Sequence, residues 1–182
     1  DIMKRLLEAA GIPIARFRTF RRWERDQISF DEMDNFLGMP CFVKPANMGS
    51  SVGVSKAYDA ESFEQSVNEA FRYDHKIIIE TFIKAREIEC AVLGNESPIA
   101  SVPGEVLPHH DFYTYEAKYI DENGAGLQMP ADLPDHLVRE LQQLAIESFR
   151  VIECEGMARV DCFLTEHNTF VVNELNTIPG FT

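Results

Sequence analysis

The stretch MARVDCFLTEHNTFVVNELN, residues 157–176, decides the reading of this chain. Two apolar runs, Met157 to Leu164 and Phe170 to Leu175, flank Glu166-His167-Asn168, so the spacing predicts two strands joined in a hairpin. A period of two puts Arg159 and Asp161 on one face. Across a turn centred near His167, the residue facing Asp161 is Glu174 or a close neighbour, and Glu174 shares its own face with Asn176. Asn173 falls on the opposite face and reads as a solvated residue. Two carboxylates and an amide oxygen beside one arginine suit Mg²⁺, a hard cation that takes few protein ligands and leaves positions for water and phosphate oxygens. The polar outer face of an ordinary hairpin is the competing reading of these four residues.

Upstream, Leu133 to Arg150 carries Leu137, Leu141, Leu144, Ala145 and Phe149 at helical spacing. Ile2, Met3, Leu6, Leu7 and Ala10 give a first helix that Gly11 ends. A strand is expected over Ile12 to Phe20, followed by a charged connection through Arg21 to Asp34. Cys41-Phe42-Val43-Lys44 reads as a short buried strand halted by Pro45, and Val52 to Ala57 as its partner. Asp59 can cap a helix over Ala60 to Arg72. Lys76 to Ile83 and Glu87 to Leu93 read as strands. Residues Pro108 to Pro130 read as a long loop around a short Ala117 to Ile120 strand, and loops of that length are commonly functional. The element pattern is that of an α+β fold.

Three further places carry chemistry. Lys44 precedes the small-residue loop Gly49-Ser50-Ser51-Val52-Gly53, whose backbone N–H groups can approach a phosphate closely. A Walker loop has its lysine after the glycines, so this pattern points to a phosphate cover on a strand-loop-strand unit; a plain Gly-rich turn fits it as well. At Ile79-Glu80-Thr81-Phe82-Ile83 a buried strand ends in an acceptor and exposable backbone, an edge able to read an adenine, or an ordinary strand end. Tyr115-Glu116-Ala117-Lys118-Tyr119 sets a lysine between aromatics, where it can close over an anion or snorkel at the surface. His109 and His110 match no role.

The formal net charge of −13 argues against a nucleic-acid surface, because a phosphate backbone attracts Lys and Arg. A few cations gathered in one cleft can still hold a small anion. Cys41, Cys90, Cys154 and Cys162 lie in apolar runs without CxxC spacing, which excludes a zinc or disulfide framework. No run approaches the length of a membrane span, and the expected compartment is the cytoplasm.

Taken as a set, Phe42-Val43-Lys44-Pro45, Gly49-Ser50-Ser51-Val52-Gly53, Tyr115-Glu116-Ala117-Lys118-Tyr119, Arg159-Val160-Asp161 and Glu174-Leu175-Asn176-Thr177 with Pro179-Gly180 resemble the signatures of D-alanine:D-alanine ligases. The similarity runs from Asp1 to Thr182 in order. It implies an ATP-grasp fold, two α+β subdomains with antiparallel sheets sandwiching ATP, here 1–87 and 88–182. By the family pattern Lys44 contacts the phosphates, and the loop with Gly49, Ser50, Ser51 and Val52 covers them. Glu80 with the Phe82 and Ile83 backbone reads adenine, Glu87 holds the ribose, and Lys118 reaches the γ-phosphate. Asp161, Glu174 and Asn176 bind two Mg²⁺, with Mn²⁺ as a substitute. Arg159 and the Gly180 N–H stabilise the oxyanion, Ser51 belongs with the catalytic groups, and Tyr119 favours a dipeptide product. The implied reaction joins two D-alanines through a D-alanyl phosphate, for peptidoglycan precursors.

Thr81 stands where the family often has a lysine beside adenine. The family's N-terminal domain, a lysine just before the first helix, and the C-terminal end are not within these residues, so the chain is expected to be a fragment. A homodimer of the longer protein is implied, with ATP and D-alanine as small-molecule partners and neither nucleic acid nor membrane. Another ATP-grasp carboxylate-amine ligase and a non-catalytic nucleotide-binding module are the alternatives.

Overall fold

The computed structural model describes residues 1–49, 51–108 and 125–179. The chain divides into two compact units, each a sheet backed by helices on one face. One takes in Asp1 and Ala15–Phe82, the other Ile2–Ile14, Ile83–Pro108 and the chain from Ala125 on. The expected boundary at Glu87 therefore falls inside a strand, and the first helix packs with the second unit.

In the first unit, β1 (Phe17–Arg21), β2 (Cys41–Pro45), β3 (Ser55–Ala57) and β4 (Lys76–Thr81) form an antiparallel sheet in the order β1-β4-β2-β3. Alternation along β2 buries Cys41, Val43 and Pro45 and turns Phe42 and Lys44 to the other side. The buried side meets α2 (Phe30–Leu37) and α3 (Ala60–Tyr73) in a core that includes Val43, Ile77, Ile79, Met33, Leu37, Phe63 and Val67. Asp59 caps α3 as expected, accepting from the Ser62 backbone N–H at 2.8 Å.

In the second unit α1 (Ile2–Ala9) is followed by Gly11, whose φ of 76° lets the Ile12 N–H fold back on Leu7 at 2.9 Å. The sheet runs β10-β9-β5-β7-β8, all antiparallel, with the two-residue β6 (Ile99–Ala100) on β5. Its strands are β5 (Ala85–Gly94), β7 (Gly104–Pro108), β8 (Ala125–Gln128), β9 (Gly156–Thr165) and β10 (Phe170–Asn176). One face of β5 and β9, with Ile88, Cys90, Val92, Ala158, Val160, Cys162 and Leu164, packs on Leu137, Leu141, Ala145 and Phe149 of α4 (Asp135–Val151). Arg86 forks onto buried Glu105 at 2.7 and 2.6 Å and donates to the Asp132 carbonyl, which ties β5 to β7.

Several expectations are corrected. The strand expected over Ile12 to Phe20 is shorter and later, because Pro13 and Ile14 instead pair with β10 at Val172. The charged connection Arg21 to Asp34 contains a 3₁₀ turn over Arg22–Gln27 and then α2, capped by Ser29. Residues 51–53 form turns, so β3 starts at Ser55. The stretch read as a long loop includes β8, and the Ala117 to Ile120 strand lies outside the described residues. Among the described residues no helix is long and apolar enough to cross a membrane.

Phe149 is fully buried at the centre of the second unit's core. Phe149→Ala should lower unfolding stability by about 3–5 kcal/mol through lost burial and the cavity left behind, read as a shift in the urea midpoint at unchanged slope.

Candidate active site

Ordinary alternation cannot by itself put Glu174 where the sequence reading wants it. Phe170 pairs with Leu164 and Val172 with Cys162, all of them buried, so two residues on from Val172 the chain should still face the core. The register shifts between Val172 and Glu174. Asn173 is thus the extra residue of a β-bulge, not the plain opposite-face residue expected, and it turns the rest of β10 over. Beyond it Glu174 faces Asp161, Asn176 faces Arg159, and Leu175 packs against the core.

Three strands contribute to the face turned away from α4. β10 supplies Glu174 and Asn176, β9 supplies Arg159, Asp161 and Phe163, and β5 supplies Glu87 and Glu89, with Glu89 opposite Asp161. Arg159 donates from Nε and Nη2 to the two Asp161 oxygens at 2.6 and 2.7 Å, and its Nη2 stands 3.4 Å from Glu89 Oε1. Burial pushes the Asp161 carboxyl up to about 6, with Glu89 and Glu174 adding to the rise and the hydrogen bonds and charge of Arg159 opposing it. The bonds to Asp161 in turn raise Arg159 above its usual value, so the guanidinium stays cationic. Sequence reasoning missed Glu89. Its signal was the Glu87-x-Glu89 spacing on a strand, which only the register beside β9 makes meaningful.

All the donors on this face are carboxylate or amide oxygens, the chemistry that suits Mg²⁺. Among the described residues no three His, Cys, Asp or Glu side chains are already grouped to hold one ion. Two carboxylates with the Asn176 amide would bind Mg²⁺ only when ligand or water oxygens complete its shell, which is the ordinary way this ion is held at phosphates.

The first unit carries a different set. On the sheet face turned from its helices, Lys44 ion-pairs with Glu80, which is 2% exposed. Lys56, paired across from Phe42, lies with its Nζ 3.5 Å from the centre of the Phe82 ring, and Phe82 packs on Phe42 at 5.9 Å. Sequence reasoning passed over Lys56, whose only signal is its position two residues before Tyr58 on a short strand. Between β2 and β3 the Val52 N–H donates to Gly49 and the Val54 N–H to Ser51, with Ser51 at φ 60°. Gly53 has φ 69°, and a Cβ there would come within 2.5 Å of Tyr73. Asp74 accepts from the Asn47 backbone and side chain at 2.8 Å each, anchoring the start of this loop. Burial would raise Asp74, but hydrogen bonds from Asn47, Lys76 and His75 outweigh it and hold the carboxyl below its usual range.

Ile83 begins the second unit's run and Glu87 faces Phe163. Ser50, Lys118, Tyr119 and Gly180, together with His109 and His110, lie outside the described residues. All four cysteines are free, and burial pushes the Cys41 thiol up to about 11 and those of Cys90, Cys154 and Cys162 upward as well, which makes them inert packing groups.

The family model described as D-ala D-ala ligase C-terminus matches residues 6–182. The D-alanine--D-alanine ligase of Oceanobacillus iheyensis is 54% identical over all 182 residues, and D-alanine--D-alanine ligase A of Escherichia coli K12 is 52% identical over the same length. The chain spans about half the length of these curated relatives, 50% in each case. Among solved structures, the D-alanine-D-alanine ligase of Coxiella burnetii superposes with a TM-score of 0.85 at 40% identity, covering 100% of this chain and 47% of that one. The VanG D-Ala:D-Ser ligase of Enterococcus faecalis gives 0.89 at 32% identity, covering 99% and 52%. These neighbours fix the architecture as the α+β ATP-grasp fold.

A divalent ion on Asp161 must replace the proton that this carboxyl holds below about 6. The sign follows: affinity rises with pH through that value and levels off above it. Mn²⁺ titrated by electron paramagnetic resonance should bind roughly tenfold more weakly for each pH unit below it. A profile flat across that range would remove Asp161 from the ligand set.

Proposed function

This chain belongs to the D-ala D-ala ligase C-terminus family, and from that premise we propose that it forms the nucleotide- and metal-binding portion of an enzyme that joins two D-alanines at the expense of ATP. The reaction is transfer of the γ-phosphoryl group to one D-alanine carboxylate, attack by the amine of the second on the acyl phosphate, and loss of phosphate. The product serves peptidoglycan precursor synthesis in the cytoplasm.

The observation that carries this reading is the row of oxygen donors around Arg159, because nucleotide binding alone needs no arginine at the reacting end. Asp161, Glu174 and Asn176 hold Mg²⁺, which supplies Lewis-acid neutralisation of the phosphate oxygens. Arg159 lies beside them and stabilises the negative charge that develops on the attacked carbonyl, together with the Gly180 N–H. In the first unit Lys44 contacts the phosphates, and Glu80 accepts from the adenine amino group along with the Phe82 and Ile83 backbone. Gly49, Ser50, Ser51 and Val52 cover the phosphates, Glu87 accepts from the ribose, and Lys118 closes on the γ-phosphate. Exclusion of water from the reacting groups protects the acyl phosphate from hydrolysis. The active protein is a homodimer.

Tyr119 selects a second D-alanine. The likeness to a D-Ala:D-Ser ligase makes the choice of acceptor a matter for direct assay. Phosphate release from ATP should be stimulated by D-alanine and by neither L-alanine, D-lactate nor D-serine; release indifferent to D-alanine would overturn the ligase reading. In the same assay Glu174→Gln should lower kcat on the order of 10²-fold or more. Because Glu174 is exposed, the thermal unfolding transition should not fall.

A further inference from the structure

We infer that Glu89 is a positioning residue for Arg159, the carboxylate that receives the guanidinium when Asp161 turns an oxygen to the metal; this rests on the ligase reading above. Asp161 has two tasks that compete. Both of its oxygens are engaged by the Arg159 fork, at 2.6 and 2.7 Å, whereas a divalent ion at the same carboxylate brings a second positive centre next to the guanidinium. Two cations on one small carboxylate repel, so the arginine needs another acceptor close by.

The register supplies one. Glu89 lies directly across from Asp161 on β5, and its Oε1 is already 3.4 Å from Arg159 Nη2, just outside hydrogen-bond range. Opposite Arg159 itself stands Ala91, which has no bulk to block a small swing of the side chain toward β5. Glu174 is on the far side of β9, beside Asp161 on β10. The row of Glu89, Asp161 and Glu174 thus runs across three strands with a single guanidinium among three carboxylates. The arginine can shift toward β5 as metal arrives from the β10 side, remaining on the sheet instead of leaving it.

The test uses Mn²⁺ in the presence of ADP, with the metal followed by electron paramagnetic resonance in the protein carrying this chain. Glu89→Gln should weaken Mn²⁺ binding by about tenfold, the usual scale for a residue that orients a ligand from behind. It should also lower kcat by a similar factor with the KM for ATP within about twofold, and Glu89→Asp should recover part of both losses. The deciding arm is a double-mutant cycle. In an Arg159→Ala background, Glu89→Gln should leave Mn²⁺ affinity where it is, since there is no guanidinium left to hold. Retention of the full tenfold effect in that background would overturn the inference and make Glu89 a direct charge or ligand for the ion. Wild-type affinity and kcat in Glu89→Gln would overturn it too. Failure of the wild-type protein to bind Mn²⁺ with ADP, or to respond to D-alanine, would instead sink the ligase reading, so the two failures are distinguishable.

Discussion

The half-turn that Asn173 puts into the last strand is the constraint on which the second unit's chemistry depends. Before it, Phe170 and Val172 face the core; after it, the same face is taken by Leu175, and Glu174 and Asn176 come out beside Asp161 and Arg159. A regular strand would have driven the Glu174 carboxylate into an apolar core, at a cost far above that of one unpaired ladder position. The bulge is fixed from both sides. Apolar pairs Phe170↔Leu164 and Leu175↔Val160 bracket it along β9, and the Val172 N–H donates to the Pro13 carbonyl at 2.8 Å on the other edge. The segment after α1 therefore stabilises the register that exposes the acids.

The two units solve opposite electrostatic problems with the same device, a sheet whose one face is core and whose other face is polar. In the first, Lys44 and Lys56 stand among Phe42, Phe82 and Glu80, a surface of cations and rings suited to a nucleotide. In the second, the carboxylates described on this face outnumber Arg159, and the surface is suited to a metal ion. The overall charge of −13 conceals this division, because solubility depends on the total while ligand chemistry depends on which charges share a face.

Much of this was legible in the sequence, and the reasons differ from place to place. That Asp161 lies opposite Glu174 or a close neighbour could be read because a short hairpin with a tight turn leaves little freedom in register, whereas the bulge at Asn173 that completes the pairing left no local mark; α3 could be read from Asp59 and its apolar spacing. The second helix was missed because Phe30–Leu37 is short and acid-rich; its cap, Ser29, and its end, Gly38 at φ 76°, were the only local marks. Glu89 was missed for a different reason: β5 and β9 are joined through a long intervening chain, and no local pattern states which residues will lie opposite across such a separation. The boundary near Glu87 was misjudged because β5 runs unbroken through it, while the change of unit happens earlier, at Phe82–Ile83.

What remains is why a strand that packs so well on one side should carry such an unfavourable row on the other. Glu89, Asp161 and Glu174 repel one another, and burial lifts Asp161 further. One arginine cannot neutralise three acids, so the row lowers the stability of the sheet that carries it. Ile88, Cys90, Val92, Val160 and Cys162 on the reverse face, each at most 2% exposed, supply burial that outweighs this cost. A core gains nothing from acids placed this way, and polar groups that break the local rule for stability mark the places where a chain is built to receive something else. A row of carboxylate and amide oxygens suits a compact, oxygen-seeking cation, in keeping with the Mg²⁺ proposed for it.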